Sequence, residues 1–314
     1  MFAETGHKLV STPPSVKRSP IFPNKGGGTG FIGRALVEAL KRKGHEVTII
    51  SRSQAPGKIT WSEIAKLPLP ECEAVVNLAG ENILNPLKRW NEGFLQTLRD
   101  SRIETTKTLA KKISEASNPP KVFVSSSAVG YYPPSDTAEY TEDSPPSSAD
   151  ALTTLCADWE KSAKLPDGCK TRLVTLRIGV VLGRGGGVIQ QTIWPFWFGL
   201  GGVLGSGKQY FPWIHVDDMT GIIFHALEND HVTGVLNAVA PQVVTNESYT
   251  KEYAGALWRP AILPTPSFAV NFIFGQDRGK ILLEGQKVIP KRTLEMGYKF
   301  QYPELKQALA EIVK

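Results

Sequence analysis

The residues with the clearest chemical capacity begin at Gly26. Gly26-Gly-Gly-Thr-Gly-Phe-Ile-Gly33 leads straight into Arg34-Ala-Leu-Val-Glu-Ala-Leu-Lys-Arg-Lys-Gly44. This reads as a glycine-rich turn opening a helix. Gly27, Gly30 and Gly33 recur at every third position. Glycine accepts positive φ and has no Cβ, so the backbone of such a turn can approach a pyrophosphate, and the helix start behind it offers free N–H groups and a positive dipole end. Glycines alone are weak evidence for this; an ordinary Gly-rich loop reads the same way. The next segment adds weight. Glu46-Val-Thr-Ile-Ile50 is a β-branched run that predicts a buried parallel strand, and it ends in Ser51-Arg52. Dinucleotide folds place the residue that meets the adenosine ribose at this point. An acid there selects the free 2′-hydroxyl of NAD, whereas an arginine pairs with the 2′-phosphate of NADP. Arg52 therefore reads as an NADP residue, against the plainer reading of a solvated surface arginine.

Two further runs end in chemically useful residues. Glu73-Ala-Val-Val-Asn-Leu-Ala-Gly80 predicts a buried strand closing in a small-residue turn, with Asn77 to Gly80 at the carboxyl end of the sheet. Lys121-Val-Phe-Val-Ser-Ser-Ser-Ala-Val-Gly-Tyr-Tyr132 predicts a strand whose exit carries three serines and two tyrosines, a candidate active-site rim.

The elements that must hold these residues follow from pattern. Ile32, Leu36 and Leu40 give the first helix one apolar face; Lys41, Arg42 and Lys43 suit its last turn and Gly44 its cap. A long helix is predicted over about 92–117, with Arg102 in its middle, facing either the nicotinamide side of the cleft or solvent. Leu173-Val-Thr-Leu-Arg-Ile-Gly-Val-Val-Leu-Gly183 reads as one more buried strand. Strands alternating with helices at these lengths predict an α/β fold, a Rossmann-type doubly wound parallel sheet. From about Gly185 the pattern changes to substrate-side insertions. Trp194, Phe196, Trp197 and Phe198 line an apolar pocket or pack in the core, and Asp217 or Asp218 caps a helix to Glu228. Helices over Ser267–Phe274 and after Pro303 complete a smaller C-terminal domain, 236–314, behind a main domain of 26–235.

Residues 1–25 fit poorly. A first strand should precede the glycines, but Pro13, Pro14, Pro20 and Pro23 break the segment, and proline cannot donate to a central ladder. The expectation is an atypical, disordered extension and a first strand that is short or distorted.

The chain has 314 residues, 41% hydrophobic and 21% charged, with a net charge of +6. These values describe a soluble globular protein. The basic residues are dispersed and no aromatic–basic interleaving points to nucleic acid. A phosphate-rich cofactor suffices to explain the bias. Cys72, Cys156 and Cys169 have neither metal spacing nor an even count, and so fit a reducing compartment, with the cytoplasm expected and a mitochondrial or plastid address as the alternative. No apolar run reaches membrane-helix length.

Taken together, Gly27–Gly33, Ser51-Arg52, Val76-Asn-Leu-Ala-Gly-Glu-Asn82, Val124-Ser-Ser-Ser-Ala-Val-Gly-Tyr-Tyr132, Arg177-Ile-Gly-Val-Val-Leu-Gly183, Trp213-Ile-His-Val-Asp-Asp218 and Leu283-Glu-Gly-Gln-Lys-Val-Ile-Pro290 resemble an extended short-chain dehydrogenase/reductase of the epimerase type, more narrowly its atypical family member 39U. The resemblance runs from about Gly26 to the C-terminus. It implies NADP held by Gly27, Thr29, Gly30, Phe31, Ile32 and Gly33, by Ser51 and Arg52, by Asn77, Leu78, Ala79 and Gly80, by Arg102 and by Val180. It also implies an unidentified small-molecule substrate, and it allows a homodimer.

Active relatives use a serine or threonine with a Tyr-x-x-x-Lys pair, whose lysine lowers the tyrosine's pKa. Ser127 corresponds to the serine, with Ser126 as fallback. Aligned on Glu160, the next helix has Leu152 at the tyrosine position and Cys156 at the lysine position. Two functions stay open. One is an NADP-dependent oxidoreductase or epimerase whose acid is Tyr131, or Tyr132. The other is a non-catalytic NADPH-binding sensor or scaffold.

Overall fold

The computed structural model describes residues 21–22 through their backbone, and 30–84, 90–147 and 150–314. Its strands are β1 (Ile21–Phe22), β2 (Ile49–Ser51), β3 (Lys58–Thr60), β4 (Ala74–Asn77), β5 (Val122–Ala128), β6 (Glu139–Tyr140), β7 (Arg172–Ile178), β8 (Val180–Leu182), β9 (Trp213–His215), β10 (Gly234–Ala238) and β11 (Lys287–Val288). Its helices are α1 (Phe31–Arg42), α2 (Trp61–Lys66), α3 (Glu92–Asp100), α4 (Ile103–Ser114), α5 (Ala151–Ser162), α6 (Gly187–Trp197), α7 (Val216–Glu228), α8 (Asn246–Ala256), α9 (Ser267–Phe274), α10 (Gln276–Leu283), α11 (Lys291–Glu295) and α12 (Leu305–Ile312).

The β-branched runs pair in parallel, in the order β10-β7-β5-β4-β1-β2-β3. Chain order reverses beside β1, so the crevice for a ligand lies at the carboxyl ends of β1, β2, β4 and β5. The strands are coated on both sides, which is why their sequences are continuous apolar runs rather than alternating ones. Leu36, Val37 and Leu40 of α1 pack with Met219, Ile222 and Ile223 of α7 on one face; Leu109 and Ile113 of α4 join Phe123 and Ile64 on the other. Gly44, at φ +81°, ends α1 as its sequence predicts.

The first strand is short, as expected, while several other expectations need correction. β1 is two residues long and sits in the centre of the sheet, pairing Ile21 with both Ile49 and Val76. A short first strand is what Pro20 and Pro23 permit, since neither can donate to a ladder. The other residues of the expected extension, and Gly26 to Thr29 of the turn, lie outside the described residues. The helix expected over 92–117 is broken at Ser101-Arg102. Ser101 Oγ donates to Leu98 O and accepts from Glu81 N, pinning the chain to the turn after β4. The strand expected over 173–183 divides at Gly179, and β8 pairs with β9 outside the main sheet. The N-cap of α7 is His215, whose Nδ1 accepts from Asp217 N. Asp218 is buried and accepts from Tyr298 Oη and from Gln301 and Tyr302 N, anchoring the C-terminal chain.

The main sheet ends at Ala238, so a boundary at 235 would cut β10. The C-terminal segment also packs back on the main body. β11 pairs with β6, and buried Glu142 accepts from Asn237 N and Arg292 N. A second core forms from α6, α8 and α12 around Trp213, Tyr253 and Leu309.

Candidate active site

The nucleotide-side edge is built mainly of backbone. Gly30 is the N-cap of α1 and supplies no side-chain cap, so among the described residues no side chain caps the helix start. Phe31 seats α1 against the loop after β8: a Cβ at Gly183 would come within 2.7 Å of its ring, and one at Gly186 would overlap it. Ser51 is buried and donates to Ser53 O. Arg52 is largely exposed at the end of β2, its Nη1 3.5 Å from Glu81 Oε2. Leu78 and Ala79 form the buried turn after β4.

Two of the expected nucleotide residues support this edge from beneath. Asn77 is fully buried; its Oδ1 accepts from Ala79 N and its Nδ2 donates to Thr106 Oγ1. Its side chain is thus used up in shaping the turn. Arg102 lies not mid-helix but at the α3–α4 break, with Nη2 donating to Glu81 O and Nη1 to Leu98 O. Its guanidinium lies directly under Gly80, where a Cβ would be 3.3 Å from Cζ. It also faces the Trp159 ring at 5.1 Å. Burial lowers its pKa, while the neighbouring Cys156 and Glu81 act the other way.

The opposite edge is a buried polar network. Ser127 on β5 is in register with Arg177 on β7, so both side chains point toward α5. Ser127 Oγ donates to Glu160 Oε1 at 2.8 Å. Arg177 grips the same carboxylate with Nε at 2.8 Å and Nη2 at 2.9 Å, and its Nη1 donates to Tyr132 Oη at 2.8 Å. Burial opposes the guanidinium's charge, but Glu160 overrides it and raises the Arg177 pKa. Tyr132 Oη lies within hydrogen-bond distance of Asn237 Oδ1 and Thr141 O, and burial pushes its pKa up to about 12 against the pull of Arg177. A hydroxyl with all its partners inside the protein is structural, so Tyr132 is withdrawn as an acid. Tyr131 is also buried, with Arg177 Cζ 3.4 Å from its ring centroid, and burial raises its pKa. The fallback, Ser126, is buried with its Oγ unpartnered, as is Ser125.

A cavity of about 440 Å³ opens beside this network. Val180, Gly130 and Leu152 line it, so the residue at the tyrosine position offers only methyl groups. Cys156, at the lysine position, lies below the surface; burial pushes its thiol up to about 12, with Arg102 pulling the other way. Of the aromatic cluster, Phe196 alone lines the cavity, packed on Tyr253. Trp194, Trp197 and Phe198 are exposed. Among the described residues no group of three potential metal ligands occurs, and no helix is long and apolar enough to cross a membrane. The three cysteines are free thiols.

Glu160 and Arg177 are the functional residues that sequence reasoning gave no role. The signal was a lone arginine inside the apolar strand run 173–182, since charged residues are rarely buried without a partner.

A parallel sheet with a switch-point crevice, a glycine-led first helix and a serine-ended β5 define a class, and comparison with known proteins agrees. The chain belongs to the NAD dependent epimerase/dehydratase family, whose model matches residues 26–238, and within it to the SDR39U1-type epimerase family proteins. It is 56% identical to human "Epimerase family protein SDR39U1" over 92% of this chain and 98% of that protein. It is 38% identical to an Arabidopsis thaliana homolog described as chloroplastic, over 96% and 89% of the two chains. A crystal structure of human SDR39U1 (isoform2) with NADPH superposes with a TM-score of 0.90 at 54% identity, covering 94% of this chain and 98% of that one. Residues 265–312 match a domain of unknown function, DUF1731.

Proposed function

We propose that this chain binds NADPH across the crevice and uses the adjoining cavity to reduce a small carbonyl compound or to oxidise the corresponding alcohol. The observation that carries this reading is the cavity itself, which meets the carboxyl ends of the strands at Val180 and Gly130, beside Ser127 and its network. The residues present fit the nucleotide. The uncapped start of α1 suits a pyrophosphate, and Arg52, exposed at the end of β2, suits a 2′-phosphate. The human relative's NADPH complex supports the same assignment. Ser51, Leu78, Ala79 and Gly80 would form the nucleotide's walls, with Asn77 holding their turn.

When bound, the nicotinamide supplies or accepts the hydride. The chain's own residues must orient the substrate and handle the proton. Ser127, whose proton goes to Glu160, offers its oxygen as acceptor to a substrate hydroxyl. Tyr131 is the proposed acid; burial keeps it protonated at neutral pH. Arg177, whose Cζ lies 3.4 Å from the Tyr131 ring centroid, supplies the positive charge that active relatives take from lysine. Fluorescence titration with NADPH and NADH, followed by single-turnover oxidation of NADPH with a panel of carbonyl compounds, tests this. NADPH oxidation by the wild type that is lost in Tyr131→Phe supports the scheme, and turnover unchanged in that variant removes Tyr131.

The second reading is an NADPH-binding protein without catalysis. Leu152 and Cys156 in place of the dyad favour it. Tight NADPH binding with no hydride transfer to any carbonyl of the panel would select it. The free thiols suit a reducing compartment, and the cytoplasm is the proposed site, with the chloroplast of the plant relative as the alternative.

A further inference from the structure

Among the described residues, most of the large apolar side chains left in solvent are gathered on three neighbouring segments. Trp194, Trp197 and Phe198 stand exposed at the end of α6, Trp258 and Ile262 after α8, and Phe268, Phe272 and Ile273 on α9. Contacts tie these segments side by side. Trp197 O accepts from Arg259 Nε at 2.9 Å. Val203 O accepts from Thr265 N, and Gly205 N donates to Thr265 O, just before α9 begins. A Cβ at Gly202 would overlap Leu263 O, so the two runs of chain lie in direct contact. Together the exposed side chains present on the order of 1,000 Å² of apolar surface, against roughly 300–600 Å² for the largest patch on a typical monomer. A patch of that size marks a surface that something covers.

Its chemistry says what covers it. Residues 185–207 carry no charged side chain, and residues 253–276 carry one, Arg259, whose Cζ lies 4.7 Å from the Trp197 ring. Tryptophans, phenylalanines and a single arginine, with no carboxylate among them, match the boundary layer of a bilayer. Indole rings settle at the headgroup level, phenylalanine and isoleucine enter the acyl boundary, and a guanidinium pairs with lipid phosphate. The net charge of +6 favours anionic headgroups. The rings also project singly. Trp258 is 89% exposed and Phe272 90%. α9 is anchored by buried Val270 and by Asn271 against Gly279, which turns Phe268 and Phe272, one helical turn apart, outward. A second copy of this chain would have to offer a recess to each projecting ring, whereas a bilayer takes such rings without one.

We infer that this face docks the protein on a bilayer surface carrying anionic headgroups, with Trp258, Phe268 and Phe272 entering the boundary layer and Arg259 pairing with lipid phosphate. Docking of this kind is peripheral and needs no spanning helix. It sets α6 between the bilayer and the cavity, because Val188, Thr192 and Phe196 of the same helix line the cavity. The docking goes beyond the proposed NADPH chemistry and does not depend on it.

The test is flotation of the full chain with two sets of vesicles, mixed phosphatidylcholine and phosphatidylglycerol, and phosphatidylcholine alone. The wild type should float with the mixed vesicles and more weakly with phosphatidylcholine alone. Trp258→Glu and Phe272→Glu should each weaken vesicle binding about tenfold or more, since each replaces an inserted ring by a carboxylate. Leu67→Glu changes an exposed leucine after α2, at the β3 edge of the sheet, and should bind as wild type. Without vesicles, Trp258→Glu and Phe272→Glu should melt as the wild type does, because both side chains stand in water. No flotation of the wild type, flotation that neither substitution weakens, or an equal loss in Leu67→Glu would overturn the docking. Equal flotation with phosphatidylcholine alone would overturn the part given to anionic headgroups. Sedimentation and iodide quenching without vesicles identify the other occupants. A dimer that both substitutions dissociate would give the face to a second copy. A Trp258 shielded from iodide in the monomer would give it to another segment of this chain. Either result overturns lipid docking.

Discussion

The two edges of the crevice are made in opposite ways. The nucleotide edge is local: Gly30, Phe31, Ser51, Arg52 and the turn at Leu78–Gly80 each sit where a strand ends or a helix begins, and most of their contacts are with backbone. The β5 edge is non-local. Ser127, Glu160, Arg177, Tyr132 and Asn237 come from different elements and meet in one buried network. The first edge can change at one residue and lose one contact. The second is coupled, so removing one member leaves a buried charge or donor without its partner.

The comparison can be broken most sharply at Cys156. Restoring the expected lysine, Cys156→Lys, places an ammonium in a buried site next to Arg102. The expected cost is on the order of 5 kcal/mol, enough to unfold a domain of ordinary stability. Urea denaturation of the purified variant checks it, and a normally stable Cys156→Lys would mean the site is wetter than its burial implies. Glu160→Gln comes next. It leaves the Arg177 guanidinium, 3% exposed, without its counter-charge and should cost about 3–5 kcal/mol. An effect below about 1 kcal/mol by the same assay would reduce the network to a surface-type pair.

At the other edge, Arg52→Ala should leave stability nearly unchanged. Its pairing with Glu81 is long, and its own side chain is largely exposed. NADPH affinity should fall by roughly ten- to a hundredfold, and NADH affinity hardly at all. Equal losses for both nucleotides would show that Arg52 does not meet the 2′-phosphate. The buried thiols give a pH effect of intermediate size. Cys72 and Cys156 shift from 9.0 to about 12, so above pH 9.0 the unfolded chain releases protons that the folded one keeps. Stability therefore falls as pH rises from 9.0 toward about 12, by up to ~1.4 kcal/mol per pH unit for each thiol. Urea midpoints on either side of pH 9.0 measure it, and a flat profile would mean that the thiols titrate normally. The smallest effect belongs to Gly80→Ala. Its methyl would press on Arg102 at 3.3 Å, and a cost of about 1 kcal/mol is expected from the shift of that side chain. A thermal melt with and without NADPH separates this strain from any change in nucleotide affinity.

What could be read from the chain alone was whatever is local. The glycine spacing, the β-branched runs and the position of Arg52 after its strand each depend on neighbours in sequence, and they established an α/β fold and an NADP-type edge. The end of α1 at Gly44 and the helix over Ser267–Phe274 were legible for the same reason. Contacts that span the chain were not. The break at Ser101-Arg102 depends on Glu81, and the split at Gly179 on pairing with Trp213. The cap of α7 by His215 is set while Asp218 is drawn away by Tyr298, Gln301 and Tyr302. Trp194 and Phe198 read as pocket or core and stand in solvent, because hydrophobicity does not say which side of a helix finds a neighbour. Only the tertiary structure decided that Glu160 belongs to Ser127 and Arg177, and that the Tyr132 hydroxyl is bonded inside the protein. Partner choice among buried polar groups is fixed by which elements the fold brings together, and that information is not carried by any one stretch of sequence.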